Sequence, residues 1–401
     1  YYVHLQGRFG AGAAGEAKIR EDFPKIIREQ AAIFGGVPLE AYHFVFQFVP
    51  QRMGHAVEHK YSSCYVLMDA FVDQAENVPR IYGVTSHEFF HLWNVKRIRP
   101  AVLGPYDYQE EAYTGLHWWT EGVTSYYTDL ALVRSGLISE AEYLNRLGRL
   151  IADFENEYAN EVVSPYEASF NSWLARSDYE NPHHRNSYYS LGNRLGLLLD
   201  LEIRRLTEGA RRLDDVFRYL YETYYENDQG IPEDGIQRAC ETVSGHSFQS
   251  FFDRHVTGTA ATDYPVLFEP VGLTVTKTPD GDAGWFHVGI NDLEATEEGL
   301  FLESVTPGSD ASRAGLGDGM LIRQVNGQVA AEFNAAGFFQ SGNEGKTLSL
   351  QVVRAGEEVP LRLEWSGKNN QFRYTITPKE VADEDQLKRR RDWLGSKAGV
   401  R

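Results

Sequence analysis

A chain of 401 residues, 42% hydrophobic and 24% charged, is globular throughout and too long for one ordinary core, so two or three domains are expected. Its 57 acidic against 39 basic residues, a net charge of -18, exclude the basic footprint that nucleic acid or an anionic membrane surface requires. No apolar run approaches the roughly 20 residues that span a bilayer. Cys64 and Cys240 are too few for a disulfide framework or a cysteine zinc knuckle, which leaves two buried free thiols as the expectation.

The chain opens on Tyr1-Tyr2-Val3-His4-Leu5, strand-like and without an initiator Met, which points to a segment of a longer, soluble protein and leaves both a cytoplasmic and an exported location open. The run from Ala41 to Val49 and the run Cys64-Tyr65-Val66-Leu67-Met68 read as strands. Between Tyr1 and Ala41, Ile19, Phe23, Ile26, Ile27 and Ala31 recur at helical spacing. Pro79 leads into a helix expected to run to about Val95 and to end before Pro100. From there to about residue 256 the pattern is mostly helical. Ser139 with Glu142 makes a capping box for the helix of Tyr143, Leu144, Leu147 and Ile151. Further helices are expected at 195–206, 213–225, 233–244 and 247–255. Strands followed by helices make an α+β domain of two lobes.

At Thr257-Gly258-Thr259-Ala260-Ala261-Thr262 the composition turns small and linker-like, and beyond it short β-rich runs continue to Trp365. The expected division is residues 1–262, 263–368 and a charged tail or helix over 369–401. In that last piece Lys388-Arg389-Arg390-Arg391 reads as a solvated face.

The helix near Val95 carries His87-Glu88-Phe89-Phe90-His91. HExxH puts two imidazoles one turn apart on one face, so one metal ion can take both, while Glu88, about 100° around, sits beside the open coordination position. A catalytic zinc needs a third protein ligand. Glu121, in the aromatic segment Trp118-Trp119-Thr120-Glu121-Gly122-Val123-Thr124-Ser125-Tyr126-Tyr127, is the candidate, because a carboxylate in such apolar company calls for a cation. A zinc ion lowers the pKa of bound water toward about 7, and Glu88 is then the general base of a hydrolysis. Tyr189, with Tyr188 as its neighbour and rival, is the candidate donor to the oxyanion.

These residues resemble the glycyl aminopeptidase family of gluzincin metallopeptidases, which joins a thermolysin-like catalytic domain to a C-terminal PDZ domain. His87 to Pro100 is similar to the family's active-site signature, and WTEGVTSYY to its third-ligand segment. Gly54-His55-Ala56-Val57-Glu58-His59 resembles the element whose glutamate binds the substrate's α-ammonium, a role the resemblance implies for Glu58. Tyr189-Ser190-Leu191-Gly192 is similar to the YxKG element that carries the oxyanion tyrosine. The chain departs from the pattern in four places. Twenty-nine residues lie between His91 and Glu121, so a segment with Pro105, Tyr106 and Tyr108 must loop out. His55 replaces a glycine, Leu191 replaces the lysine of YxKG, and Ser125 stands where thermolysin-type enzymes orient a ligand histidine with aspartate. His59, His117, His183 and His184 read as ordinary histidines.

Val305-Thr306-Pro307-Gly308 through Leu316, followed by Leu321 to Gly327, resembles the core of a bacterial PDZ domain, with Pro-Gly and Asn326-Gly327 turns and a short helix seated by Ala311, Ala314 and Leu316. The loop near Gly284 to Ile290 is where such a domain would hold a peptide's C-terminal carboxylate. The reading is therefore a zinc aminopeptidase with one Zn2+ per chain, peptide substrates and a preference for N-terminal Gly or Ala implied by the resemblance. The alternatives are a zinc endopeptidase or oligopeptidase on the same site and a PDZ peptide-binding scaffold with a vestigial site.

Overall fold

The computed structural model describes residues 1–175, 187–340, 342–368 and 370–395. Near the N-terminus β1 (Tyr2–Gly7), β2 (His43–Val49), β3 (Gly54–Glu58) and β4 (Ser62–Met68) form one sheet in the order β1-β2-β4-β3. β1 and β4 run parallel to β2, and β3 is the antiparallel edge strand. The period-two pattern of β2 sends Phe44, Phe46 and Phe48 to one face. That face meets Phe23 of helix α1 (Gly12–Ile33) and Phe89 of α2 (Tyr82–Phe90), with Phe44 5.4 Å from Phe23 and 5.6 Å from Phe89. The sheet thus fixes the position of the HExxH helix. Cys64 points the other way from the buried positions of β4 and is only half-buried; Cys240 is buried as expected.

α2 ends at Phe90, five residues before the expected Val95. The carbonyls at its end are taken up by turns: that of Phe90 accepts from the Trp93 N–H and that of His91 from the Lys96 N–H. Asn94 ties the turn to the segment of Glu121, since its side-chain amide donates to the Trp119 carbonyl and the Thr124 hydroxyl. The long segment before Glu121 does loop out, with Tyr106 and Tyr108 exposed. Helices α3 (Thr124–Arg134) and α4 (Glu140–Glu155) follow, then Tyr188–Leu206, Leu213–Thr223, Gly235–Ser244 and Gln249–His255. Ser139 caps α4 by accepting from the Glu142 N–H, but the Glu142 carboxylate binds Arg146 rather than closing the box.

A second core gathers Trp285, Leu302, Ile322, Leu350 and Trp365 among the strands β6 (Ile290–Thr296), β7 (Gly299–Val305), β8 (Leu321–Val325), β9 (Gln328–Val329), β10 (Thr347–Arg354) and β11 (Glu357–Glu364). Asn326 and Gly327 turn the β8-β9 hairpin at φ 52° and 83°, the pair of left-handed residues such a turn needs.

This unit is bracketed by the first core. β5 (Leu273–Pro279) pairs antiparallel with β12 (Phe372–Pro378), and the ribbon lies on α4, where Asn156 bonds both the N–H and the carbonyl of Phe372. Tyr264, Phe268, Val271 and Leu273, beyond the boundary expected at 262, are buried in the first core. So are Trp393 and Leu394 of the helix Glu384–Leu394, where the sequence reading has a solvated face. Lys388 and Arg391 are exposed, but Arg389 and Arg390 are half-buried, donating to the Pro270 and Gly272 carbonyls, with Arg390 also paired with Glu140. Trp393 and Leu394 supply a docking edge that the charge run hides. The Trp393 indole donates to the Tyr126 hydroxyl at 2.9 Å, and Arg134 donates to its carbonyl. No helix among the described residues is long and apolar enough to cross a membrane.

Candidate metal centre and active site

Two elements converge on one point. α2 supplies His87 and its C-cap residue is His91, the two rings 4.7 Å apart, and a π-helical turn, Trp118–Val123, supplies Glu121. The Glu121 Oε2 atom is 3.3 Å from Nε2 of His87 and 3.3 Å from Nε2 of His91. Both imidazoles therefore aim the same nitrogen at the shared point. The other nitrogens are held from behind: His91 Nδ1 is 2.6 Å from the Asn94 carbonyl and His87 Nδ1 3.3 Å from the Thr128 hydroxyl. Such partners fix tautomer and ring orientation for a metal ligand. Ser125 does not share this task, since its hydroxyl donates to the Glu121 carbonyl.

The arrangement fits a divalent ion. Two nitrogens and one carboxylate oxygen lie within 4.8 Å of one another, a donor set suited to zinc. Burial works against ionisation of Glu121, but the His91 charge and the hydrogen bonds from both histidines hold its carboxyl well below the usual range. The two histidines shift in opposite directions. Burial dominates at His87 and lowers it. At His91 burial also lowers, but Glu121, Glu58 and Glu88 outweigh it and push the group up to about 9. The site thus draws positive charge to its centre.

Glu88 is buried, and its Oε2 has no hydrogen-bond partner among the described residues. Burial, with Glu58 and Glu121 adding to it and His91 opposing, pushes its carboxyl up to about 7. Glu58 ends the edge strand β3, and its carboxylate lies within 4.8 Å of ligand atoms of Glu88 and His91. Its Oε1 is ion-paired with Lys96 Nζ at 2.8 Å.

Tyr189 stands at the start of the helix Tyr188–Leu206 with its ring centre 6.1 Å from that of His87. Tyr189 is 42% exposed, yet partial burial, the Glu121 charge and a hydrogen bond to Glu121 raise its hydroxyl above the ordinary value. Tyr188 turns to His117 instead, at 5.3 Å. The helix comes so close because glycines meet: a Cβ on Gly192 would lie 1.9 Å from the Trp118 carbonyl oxygen, and one on Gly122 2.3 Å from the Gly192 Cα. His59 stays exposed, and His183 and His184 lie outside the described residues.

Sequence reasoning missed Thr128, Asn94 and Lys96. Thr128 carried a signal, since it follows Glu121 by seven residues and so shares its helix face. Asn94 and Lys96 act through turns that no periodicity marks.

Residues 80–195 match the family model described as M61 glycyl aminopeptidase. This match marks the chain as a peptidase. The span holds His87, Glu88, His91, Lys96, Glu121 and Tyr189; Glu58 lies outside it. Among solved structures, an aminopeptidase N family protein from Idiomarina loihiensis superposes with a TM-score of 0.83 at 24% identity, over 98% of this chain and 68% of that one. The two share an α+β fold. Native yeast LTA4 hydrolase superposes at a TM-score of 0.42 and 11% identity, over 64% of this chain and 38% of that one. An HtrA-type protease, AlgW with a decapeptide, matches at 0.17 and 21% identity, over 24% of this chain and 30% of that one. No curated protein matches.

Proposed function

We propose that the chain is a zinc-dependent aminopeptidase that removes the first residue of peptides, with His87, His91 and Glu121 holding the ion. The observation that carries this reading is that the Glu58 carboxylate lies within 4.8 Å of ligand atoms of both Glu88 and His91, putting an anionic amine seat beside the metal ligands. When bound, zinc supplies a Lewis acid and a water of lowered pKa. Glu88, whose Oε2 has no hydrogen-bond partner among the described residues, would hold the proton as general base and pass it to the departing amine. Glu58 binds the α-ammonium and so sets the register in which only the first peptide bond reaches Glu88. The Tyr189 hydroxyl, held near Glu121 and His87, donates to the oxyanion. The family description supports glycine as a preferred first residue, and alanine, the next smallest, is proposed with it.

The Lys96-Glu58 ion pair favours a second reading, an endopeptidase in which Glu58 binds no amine. One peptide offered with a free and with an acetylated N-terminus separates the two. Loss of cleavage on acetylation is expected, and equal cleavage overturns the exopeptidase reading. The smaller unit is proposed to be PDZ-like. Its terminal strand β6 has no strand on its outer side among the described residues, an edge open to an added peptide strand and a C-terminal carboxylate.

A further inference from the structure

We infer that Lys96 is a positioning residue that makes the amine seat selective for an unblocked N-terminus, an inference resting on the aminopeptidase reading. Glu58 is the last residue of an edge strand, paired on one side only, where a backbone is least restrained. It also faces Glu88 within 4.8 Å, and two carboxylates so close repel. Left to itself the Glu58 side chain would swing toward water. Lys96 prevents this. Its N–H donates to the carbonyl of His91 at 3.1 Å, so it rides on the turn that carries a metal ligand, and its Nζ grips Glu58 Oε1 at 2.8 Å. Side chains 20% and 21% exposed leave this pair little solvent screening. The distance from the amine seat to the metal ligands is thereby tied to the α2 turn.

That the cation is lysine matters. An ammonium is a point charge that binds one carboxylate oxygen, leaving Oε2 of Glu58 for a second ammonium, that of the substrate. A guanidinium would take both oxygens in a fork and close the seat. The two substitutions therefore fail in distinguishable ways.

The test compares the wild type, Lys96→Met, Lys96→Arg and Glu58→Gln, each loaded with zinc, on free and acetylated forms of one alanyl peptide. Binding of both forms to the same variants on a Glu88→Gln background is measured by calorimetry. Lys96→Met is expected to keep one zinc per chain and to raise KM and the dissociation constant of the free peptide about 10- to 100-fold, a range typical of lost supporting contacts. kcat is expected to change less, and binding of the acetylated form to stay as it was. Lys96→Arg, which keeps the charge, is expected to lose free-peptide binding as Glu58→Gln does. Wild-type affinity for the free peptide in Lys96→Met, or restoration of that affinity by Lys96→Arg, would overturn the role of Lys96. If wild type and Glu58→Gln bind and cleave both forms alike, the aminopeptidase reading itself falls. Discrimination intact in the wild type and lost in Glu58→Gln, yet unaffected in Lys96→Met, removes Lys96 alone.

Discussion

Gly192→Ala adds a single methyl group at the point where the helix of Tyr189 touches the turn of Glu121. The new Cβ would lie 1.9 Å from the Trp118 carbonyl oxygen and 2.7 Å from the Gly122 Cα, and both neighbours are backbone that cannot rotate away. Restoring ordinary contact takes a separation of about 1.5 Å between the two elements. Overpacking of this kind costs about 1–3 kcal/mol. At 2–4 °C per kcal/mol for a domain of this order, the melting temperature should fall by roughly 2–12 °C. Activity should fall further than stability, because a shift on the order of 1 Å between Tyr189 and Glu121 is enough to cost about 100-fold in rate. Calorimetric melting and kcat on a free-amine peptide check both parts. Gly83→Ala is the control: its Cβ meets nothing within 4 Å, it lies in α2, and it should gain up to about 1 kcal/mol. A Gly192→Ala protein that melts and turns over like the wild type would refute the view that backbone contact sets the site.

Glu88→Gln should retain zinc by elemental analysis while losing about 100- to 10,000-fold in kcat, whereas chelation should abolish activity and zinc should restore it. Thr128→Val removes the hydroxyl behind His87 and should weaken zinc affinity about 10- to 100-fold in a competition titration, with little change in urea stability of the metal-free protein. Trp393→Ala empties a fully buried site and removes the indole donor to the Tyr126 hydroxyl, which keeps its bond to Asp200, so chemical unfolding should show a loss of about 3–5 kcal/mol although the residue lies in the chain's charged end. Burial works to raise the Asp22 carboxyl, but hydrogen bonds from Lys25, Tyr82 and Lys18 outweigh it and hold the group below its usual range. A depressed folded-state pKa contributes stability that is present above the unfolded value of about 3.9 and is lost as pH falls through the folded value. The urea stability gap between wild type and Asp22→Asn should therefore be constant from pH 7 to 5 and close below about pH 4.

Much of the site is local in sequence. HExxH is legible because a helix brings residues four apart to one face, and α2 needs no distant contact to do so. The strands of Phe44 and Tyr65, and the hairpin at Asn326-Gly327, are equally local, since a period of two and two left-handed residues are enough. Glu121 was legible through composition, a lone carboxylate among tryptophans and tyrosines. Tyr188 and Tyr189 are told apart only in space. Adjacent residues on a helix point about 100° apart, and in the fold Tyr189 stands beside His87 and Glu121 while Tyr188 stands beside His117.

The sequence alone therefore put the HExxH pair on one helix face and singled out Glu88 and Glu121 as candidate base and third ligand, because each depends on spacing within one element or on the cost of burying charge. The tertiary structure alone decided what stands behind them. Thr128 and the Asn94 carbonyl orient the histidines, Lys96 grips Glu58 across the space between a turn and an edge strand, and Trp393 returns from the far end of the chain to the core beside α3. Each of these joins residues whose separation along the chain carries no periodic signal, so only the packing that brings the elements together could reveal them.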